Sequence, residues 1–170
     1  MTPRVLGLDL SISATGLAAP DGTTSVLKLH ASNGDQRLSI ILGAITDQLN
    51  QGVDLAVIED LPTHAQGAGI TGMVHGVARW ALIDTGTPYA LVPPASLKKY
   101  ATGRGNAGKP DMRMALFQRA GIDLRDDNEC DAWWLRAMGL DHLGHPPVPM
   151  PATHRAALEK ITWPDLEIEA

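Results

Sequence analysis

The chain has 170 residues, close to the roughly 150 of a typical single domain. Its 44% apolar content is enough for a core and excludes a wholly disordered chain. With 14 Lys and Arg against 19 Asp and Glu, the net charge of −5 excludes a uniformly basic nucleic-acid coat but leaves room for a local basic patch.

A single cysteine, Cys130, excludes an internal disulfide and a cysteine zinc site. No apolar run reaches the ~20 residues of a membrane helix. The apolar stretch after Met1-Thr2-Pro3-Arg4 is too short for a signal-peptide core. These features point to a soluble cytoplasmic protein with no membrane partner.

Val5 to Leu10 reads as a buried strand interrupted by one carboxylate, Asp9. Thr15 to Ala19 and Thr24 to Leu29 are two more strands, separated by the turn Pro20-Asp21-Gly22. Short connections imply an antiparallel meander. Leu38, Ile41, Leu42, Ile45 and Leu49 fall at helical spacing, and Gly52 stops that helix. A fourth strand, Leu55 to Ile58, ends at Glu59-Asp60. Ile70, Met73, Val74, Val77 and Ala81 mark a second helix closed near Gly86, and Tyr89 to Val92 is a fifth strand before Pro93-Pro94. A helix follows around Ala95 to Tyr100, then a Gly-rich basic loop from Thr102 to Lys109. Pro110 opens a helix that ends at Gly121.

Asp126 to Leu143 is the last strong helix, with Asp126 and Glu129 spaced as a capping box. Beyond Gly144-His145-Pro146-Pro147 the composition is that of a linker, with Thr153 as cap of a short helix through Ile161 and Trp163 pinning it back. The order is β-β-β-α-β-α-β-α-α, an α/β domain with a mixed sheet.

Asp9 and Glu59 are strand-end carboxylates. A lone buried carboxylate needs a partner, a metal or an exposed strand end. The strand–helix–strand crossover makes the first and fourth strands parallel. If they are also neighbours, Asp9 and Glu59 lie side by side and repel unless cations neutralise them. Hard divalent cations such as Mg²⁺ suit that setting. A third acidic cluster is Asp126-Asp127-Asn128-Glu129-Cys130-Asp131. A charged first helical turn accounts for Asp126, Asp127 and Glu129, but less well for Asp131, which precedes Ala132-Trp133-Trp134-Leu135. Carboxylates from three segments suggest a two-metal phosphodiester site.

These residues resemble the RuvC family of Holliday-junction resolvases, within the ribonuclease H-like superfamily. The matching stretches are Gly7-Leu8-Asp9-Leu10-Ser11 with Thr15-Gly16, Val57-Ile58-Glu59, and Asp131-Ala132. The most specific runs from Pro94 to Lys109, where Pro94, Lys98, Thr102, Gly103, Gly105, Ala107 and Lys109 occupy the family's Pro-x-x-x-Lys-x-x-x-Thr-Gly-x-Gly-x-Ala-x-Lys pattern. The resemblance spans about residues 4 to 143.

It implies a ribonuclease H-like fold, a five-stranded mixed sheet flanked by helices, over a nuclease domain of residues 1–143, with 144–170 as a Pro-rich linker and tail. It also implies a homodimer, which suits paired nicks in a two-fold symmetric four-way junction. The implied activity is metal-dependent DNA hydrolysis at Holliday junctions and other branched DNA, giving 5′-phosphate and 3′-hydroxyl ends. Two Mg²⁺ ions per site are expected, with Mn²⁺ able to substitute. The compact chain and its Asn-containing cluster suit a bacterial or phage-encoded enzyme.

Carried over residue by residue, Asp9, Glu59 and Asp131 are metal ligands and catalytic. The family usually has an acid or His three residues before the last Asp, and here that position is Asn128. Asn128 offers an uncharged oxygen; Asp127 keeps the charge but is one residue off. Both remain candidates. Lys98, Lys99, Arg104, Lys109 and Arg113 form the DNA-binding set, since phosphate contacts supply most nucleic-acid affinity. Lys98 and Lys109 are the two expected near the scissile backbone.

Ser11 reads as a turn residue beside the metals, Cys130 as packing, and His75, His142 and His145 as surface or capping residues. His64 is a surface residue with DNA contact as its alternative. Trp133 and Trp134 read as core and dimer-interface packing. Where family members carry an aromatic residue at the crossover, three positions after Glu59, this chain has Pro62. That predicts weak base selection. Two other readings stand beside the resolvase: a related nuclease for RNA, and a degenerate fold member that only binds DNA.

Overall fold

The computed structural model describes residues 2–61 and 68–166. β1 (Val5–Asp9), β2 (Ala14–Ala18) and β3 (Thr24–Lys28) form the expected antiparallel meander. α1 (Gln36–Leu49) returns the chain to β4 (Leu55–Glu59), which pairs parallel with β1. α2 (Ala68–Asp84) leads to β5 (Tyr89–Val92), parallel to β4. The sheet order is β3-β2-β1-β4-β5. Parallel neighbours need a long crossover, and α1 and α2 supply the two that this sheet requires. α3 (Pro94–Thr102), α4 (Lys109–Ala120), α5 (Asp127–His142) and the short α6 (Ala152–Arg155) follow.

The central strands β1 and β4 are apolar up to their last residues because both faces are covered. Leu6, Leu8, Ala56 and Ile58 face Ile41 and Ile45 of α1 and Val74, Ala78 and Leu82 of α2. Val5, Leu55, Val57, Ala90 and Val92 face the other way, onto Trp134, Leu135 and Met138 of α5. Glycines let α5 lie unusually close to the sheet. A side chain at Gly7 would run into the Ala132 carbonyl, and one at Gly16 into the Asn128 carbonyl. Gly139 answers from the helix, where a Cβ would stand 2.7 Å from both Val5 Cγ1 and Val57 Cγ2. Trp133 and Trp134 are core residues of this layer, packed edge to face at 4.9 Å.

Several sequence expectations need correction. The inward stripe of α2 is Val74, Ala78, Ala81 and Leu82, whereas Ile70 and Met73 are exposed. This helix is apolar on two faces, so periodicity alone could not choose between them. His75 is consequently buried, not a surface or capping residue. Burial lowers its pKa, opposed by the nearby Asp60.

Asp126 does cap α5, accepting from the Asn128 amide, but Glu129 does not complete a capping box. It turns to β3, where Thr24 Oγ1 donates to it at 2.9 Å. Thr153 is not a cap: Pro151 precedes α6, where no backbone donor is needed. That helix also stops at Arg155, ahead of a separate 3-10 turn, Leu158–Lys160. Trp163 stacks on His142, their rings 4.1 Å apart and nearly parallel.

Candidate active site

Sheet register brings the first two carboxylates together. Gly7 pairs with Val57 and Leu8 with Ile58, so the next step along both parallel strands sets Asp9 beside Glu59 at the strand ends. Side chains alternate along a strand, so Val5, Gly7 and Asp9 share the face covered by α5, as do Leu55, Val57 and Glu59. Because α5 contacts β1 at Gly7 through Ala132, the adjacent Asp131 is carried to the same end of the sheet. The close glycine contacts thus do structural work for the site, since a helix held farther off would withdraw Asp131.

Burial and mutual repulsion raise all three carboxyl pKa values. Asp9 is pushed up mainly by desolvation, then by Glu59 and Asp131. Glu59 is raised by desolvation and by Asp131. Asp131 is raised to about 6, chiefly by burial, with Lys109 opposing. Lys98 and Lys109 both favour the ionised forms of Glu59 and Asp131, so both cations face the cluster. Two cations do not neutralise three carboxylates.

This chemistry fits divalent ions, since oxygen donors whose ionised forms repel are relieved by a hard cation. Among the described residues no three His, Cys, Asp or Glu groups close into a ready-made cage. The three carboxylates are neighbours at the sheet end, each partly buried.

The two candidates for a fourth ligand are differently engaged. Asp127 is held by Lys109 Nζ at 3.1 Å, with Arg113 Nε at 3.7 Å. The Asn128 side-chain amide donates to Asp126 Oδ1 at 3.1 Å, and Asp126 in turn pairs with Lys28 Nζ at 2.9 Å. The first turn of α5 is therefore clamped from β3 and from α4, and Asp131, one turn further, is the acid of this cluster that reaches Asp9 and Glu59. Lys28 and Thr24 carried no sequence signal for this role, because their partners lie about a hundred positions away.

Arg104 is exposed and paired with Asp111 at 3.1 Å, while Lys99 is half-buried on α3. Arg113 also donates to the Arg125 carbonyl at 2.9 Å. Ser11 belongs to the β1–β2 turn, its carbonyl accepting from Thr15 Oγ1 at 2.6 Å. The Cys130 thiol is fully buried and its pKa pushed up to about 12, which suits packing and not nucleophilic chemistry. Pro62 and His64 lie outside the described residues.

No family model matches the chain. It is 29% identical over 119 residues to the crossover junction endodeoxyribonuclease RuvC of Alkalilimnicola ehrlichii, across 63% of this chain and 72% of that protein. Its structure is similar to that of RuvC from Thermus thermophilus, with a TM-score of 0.68 at 19% identity, covering 86% of this chain and 99% of that one. It is also similar to T. thermophilus RuvC in complex with a Holliday junction substrate, with a TM-score of 0.70 at 18% identity, covering 86% and 98%. The fold is ribonuclease H-like. Within that class the chain is RuvC-like in both sequence and architecture.

Proposed function

We propose that this chain is a structure-selective, divalent-metal-dependent endodeoxyribonuclease that resolves Holliday junctions and cuts other branched DNA by paired nicks. The observation that carries the reading is the meeting of Asp9, Glu59 and Asp131 at one sheet end, faced by Lys98 and Lys109, on a RuvC-like fold.

In this reading Asp9, Glu59 and Asp131 hold two Mg²⁺ ions, for which Mn²⁺ substitutes. Bound there, the ions supply activation of water and stabilisation of the departing 3′ oxygen. Lys98 and Lys109 bind the phosphate being cut and hold it against the carboxylate cluster. Lys99, Arg104 and Arg113 extend the phosphate contacts along the strand. The strands are left with 5′-phosphate and 3′-hydroxyl ends.

A phosphate entering the site meets a lysine that is already paired. Lys109 already neutralises Asp127, so a phosphate that takes Lys109 must compete with that pair. Asp127 thereby serves as a resting partner that keeps Lys109 aimed at the site. Residues 1–143 form the nuclease domain and 144–170 an appended segment whose described part packs against it. The exposed apolar face of α2, with Ile70, Met73, Trp80 and Ile83, fits a homodimer contact. No described helix is long and apolar enough to cross a membrane; the proposed site of action is the cytoplasm, where the DNA substrate lies.

The test is a cleavage gel with a four-way junction, a flap, a linear duplex and an RNA–DNA hybrid, each with Mg²⁺, Mn²⁺ or EDTA. Symmetric, metal-dependent nicks in the junction are expected. Cleavage confined to the hybrid would move the assignment to an RNA-directed nuclease. Junction binding without any cleavage would leave a binding protein only.

A further inference from the structure

The basic loop is rich in glycine. It contains Gly103, Gly105 and Gly108, and residues 103–106 are exposed. Glycines widen the accessible backbone space, so the loop's position depends on what grips its two ends. The far end is gripped by α4: Asp111 accepts from the Gly108 amide at 3.0 Å and pairs with Arg104.

The near end is the C-terminus of α3. There Lys98 O accepts from Thr102 Oγ1 at 2.8 Å, and Lys99 O accepts from the Gly103 amide at 2.8 Å. The next carbonyl, Tyr100 O, is met by His154 Nδ1 at 2.8 Å. A carbonyl only accepts, so His154 carries its proton on Nδ1 for this bond. The same imidazole lies against Gly103, where φ is +84° and a Cβ would stand 2.8 Å from His154 Nε2.

His154 is itself anchored. Its neighbour Arg155 reaches Asp141 of α5, with Nη2 2.8 Å from Oδ1 as an ion pair and Nε donating to Oδ2 at 3.1 Å. Tyr100, fully buried, donates its hydroxyl to the same Oδ2 at 2.9 Å. Val148, Ala157 and Ile161 on either side of α6 are buried in the α5-side core. The structural match to RuvC covers 99% of that chain but 86% of this one, so part of this chain lies outside the shared frame.

We infer that His154 is a positioning residue for the basic loop: the C-terminal segment, clasped on Tyr100 and Asp141, fixes the hinge at Thr102–Arg104 from which Arg104 and Lys109 meet DNA. The inference rests on the proposed nuclease reading for its DNA consequence, but not for the loop geometry itself. Losing the clasp leaves the carboxylates and Lys98 in place and loosens Arg104 and Lys109, which follow the hinge. Misplacement of about an ångström at a phosphate-gripping group is enough for order-of-magnitude losses.

The experiment uses the full chain with His154→Ala, His154→Leu, which keeps bulk against Gly103 without the donor, and His154→Asn, whose amide nitrogen can stand in for Nδ1. Ala and Leu should speed hydrogen exchange at residues 102–108 while leaving β1 and β4 unchanged. They should weaken junction binding by about tenfold and leave Mn²⁺ affinity, measured calorimetrically, at the wild-type value. Asn should recover most of the loss. The inference is overturned if Ala and Leu leave loop exchange and junction affinity at wild-type values. It is equally overturned if Asn fails as badly as Leu, or if affinity falls only in step with the thermal midpoint. A wild-type chain that binds no branched DNA would sink the nuclease reading, while the exchange data would still decide whether His154 fixes the loop.

Discussion

Asp9→Asn should raise the stability of the metal-free protein while abolishing cleavage. Neighbouring strands lie roughly 5 Å apart, and two like charges at that separation repel by about 3 kcal/mol at an effective dielectric constant near 20. Lys98 and Lys109 offset part of this, so we expect a net gain of about 1–2 kcal/mol. For a chain of this size that corresponds to roughly 3–6 °C in thermal midpoint.

The sign depends on pH. A carboxyl group whose pKa is raised in the folded state contributes stability that is complete below its unfolded value. That stability is lost as pH rises through the folded value. The window therefore opens above the ordinary carboxylate values of 3.8 and 4.5 and runs through about 6 for Asp131, about 7 for Glu59 and about 8 for Asp9. The wild-type chain in EDTA should lose stability across that window. The advantage of Asp9→Asn should be large at about pH 8.5 and vanish near pH 4. Saturating Mn²⁺ should restore the wild type but hardly affect the variant, because the variant has lost a ligand. Scanning calorimetry at several pH values, with and without Mn²⁺, measures all of this. An Asp9→Asn midpoint equal to or below wild type at high pH in EDTA would refute the reasoning, as would a gain independent of pH.

Glu59→Gln should likewise eliminate cleavage but keep junction binding intact or stronger, since removing a carboxylate reduces repulsion of phosphate; a gel shift beside the nicking assay checks it. Lys98→Ala and Lys109→Ala should each lower the salt slope of binding by about one at little cost to stability, which titrations at several salt concentrations will show. Asp127→Asn should cost less than about 1 kcal/mol, as an exposed ion pair does, and raise the DNA concentration needed for half-maximal rate more than it changes metal dependence. A large shift in Mn²⁺ requirement would instead make Asp127 a ligand. With Pro62 in place of an aromatic ring, a panel of immobile junctions with different cores should be cut at comparable rates; cleavage at a single short motif would contradict this.

The sheet is legible because two of its three inner strands obey a simple rule. β1 and β4 read as continuous apolar runs, as two-sided burial requires, and the short turns around Pro20-Asp21-Gly22 allow only an antiparallel return. The helix α2 was legible as a helix but not in its orientation. Its apolar residues cover two faces, and only packing against β4 and α1 decides that Val74 and Leu82 go in while Met73 and Trp80 stay out. The prolines of the C-terminal segment read as a linker, followed by a short helix that Trp163 pins back on the domain. What places Val148, Ala157 and Ile161 in the core is a tertiary clasp, Arg155 on Asp141, between residues that show no local pattern.

The site divides along the same line. Asp9 and Glu59 could be paired from sequence because parallel register turns two strand ends into neighbours. Asp131 could be added because a carboxylate ahead of two buried tryptophans is costly without a purpose. The choice between Asp127 and Asn128 could not be made, because it depends on groups brought from elsewhere. Lys28 reaches Asp126, Asp126 takes the Asn128 amide, and Lys109 and Arg113 take Asp127. Once those partners are known, the first turn of α5 is an electrostatic bracket that holds the helix against β3 and α4. Its acids are consumed in holding, and the carboxylate a full turn deeper is left to face Asp9 and Glu59. A fourth ligand from that turn must break one of these pairs; for Asp127 the pair is a weak, largely exposed one, and a bound cation together with a phosphate competing for Lys109 would offset its loss.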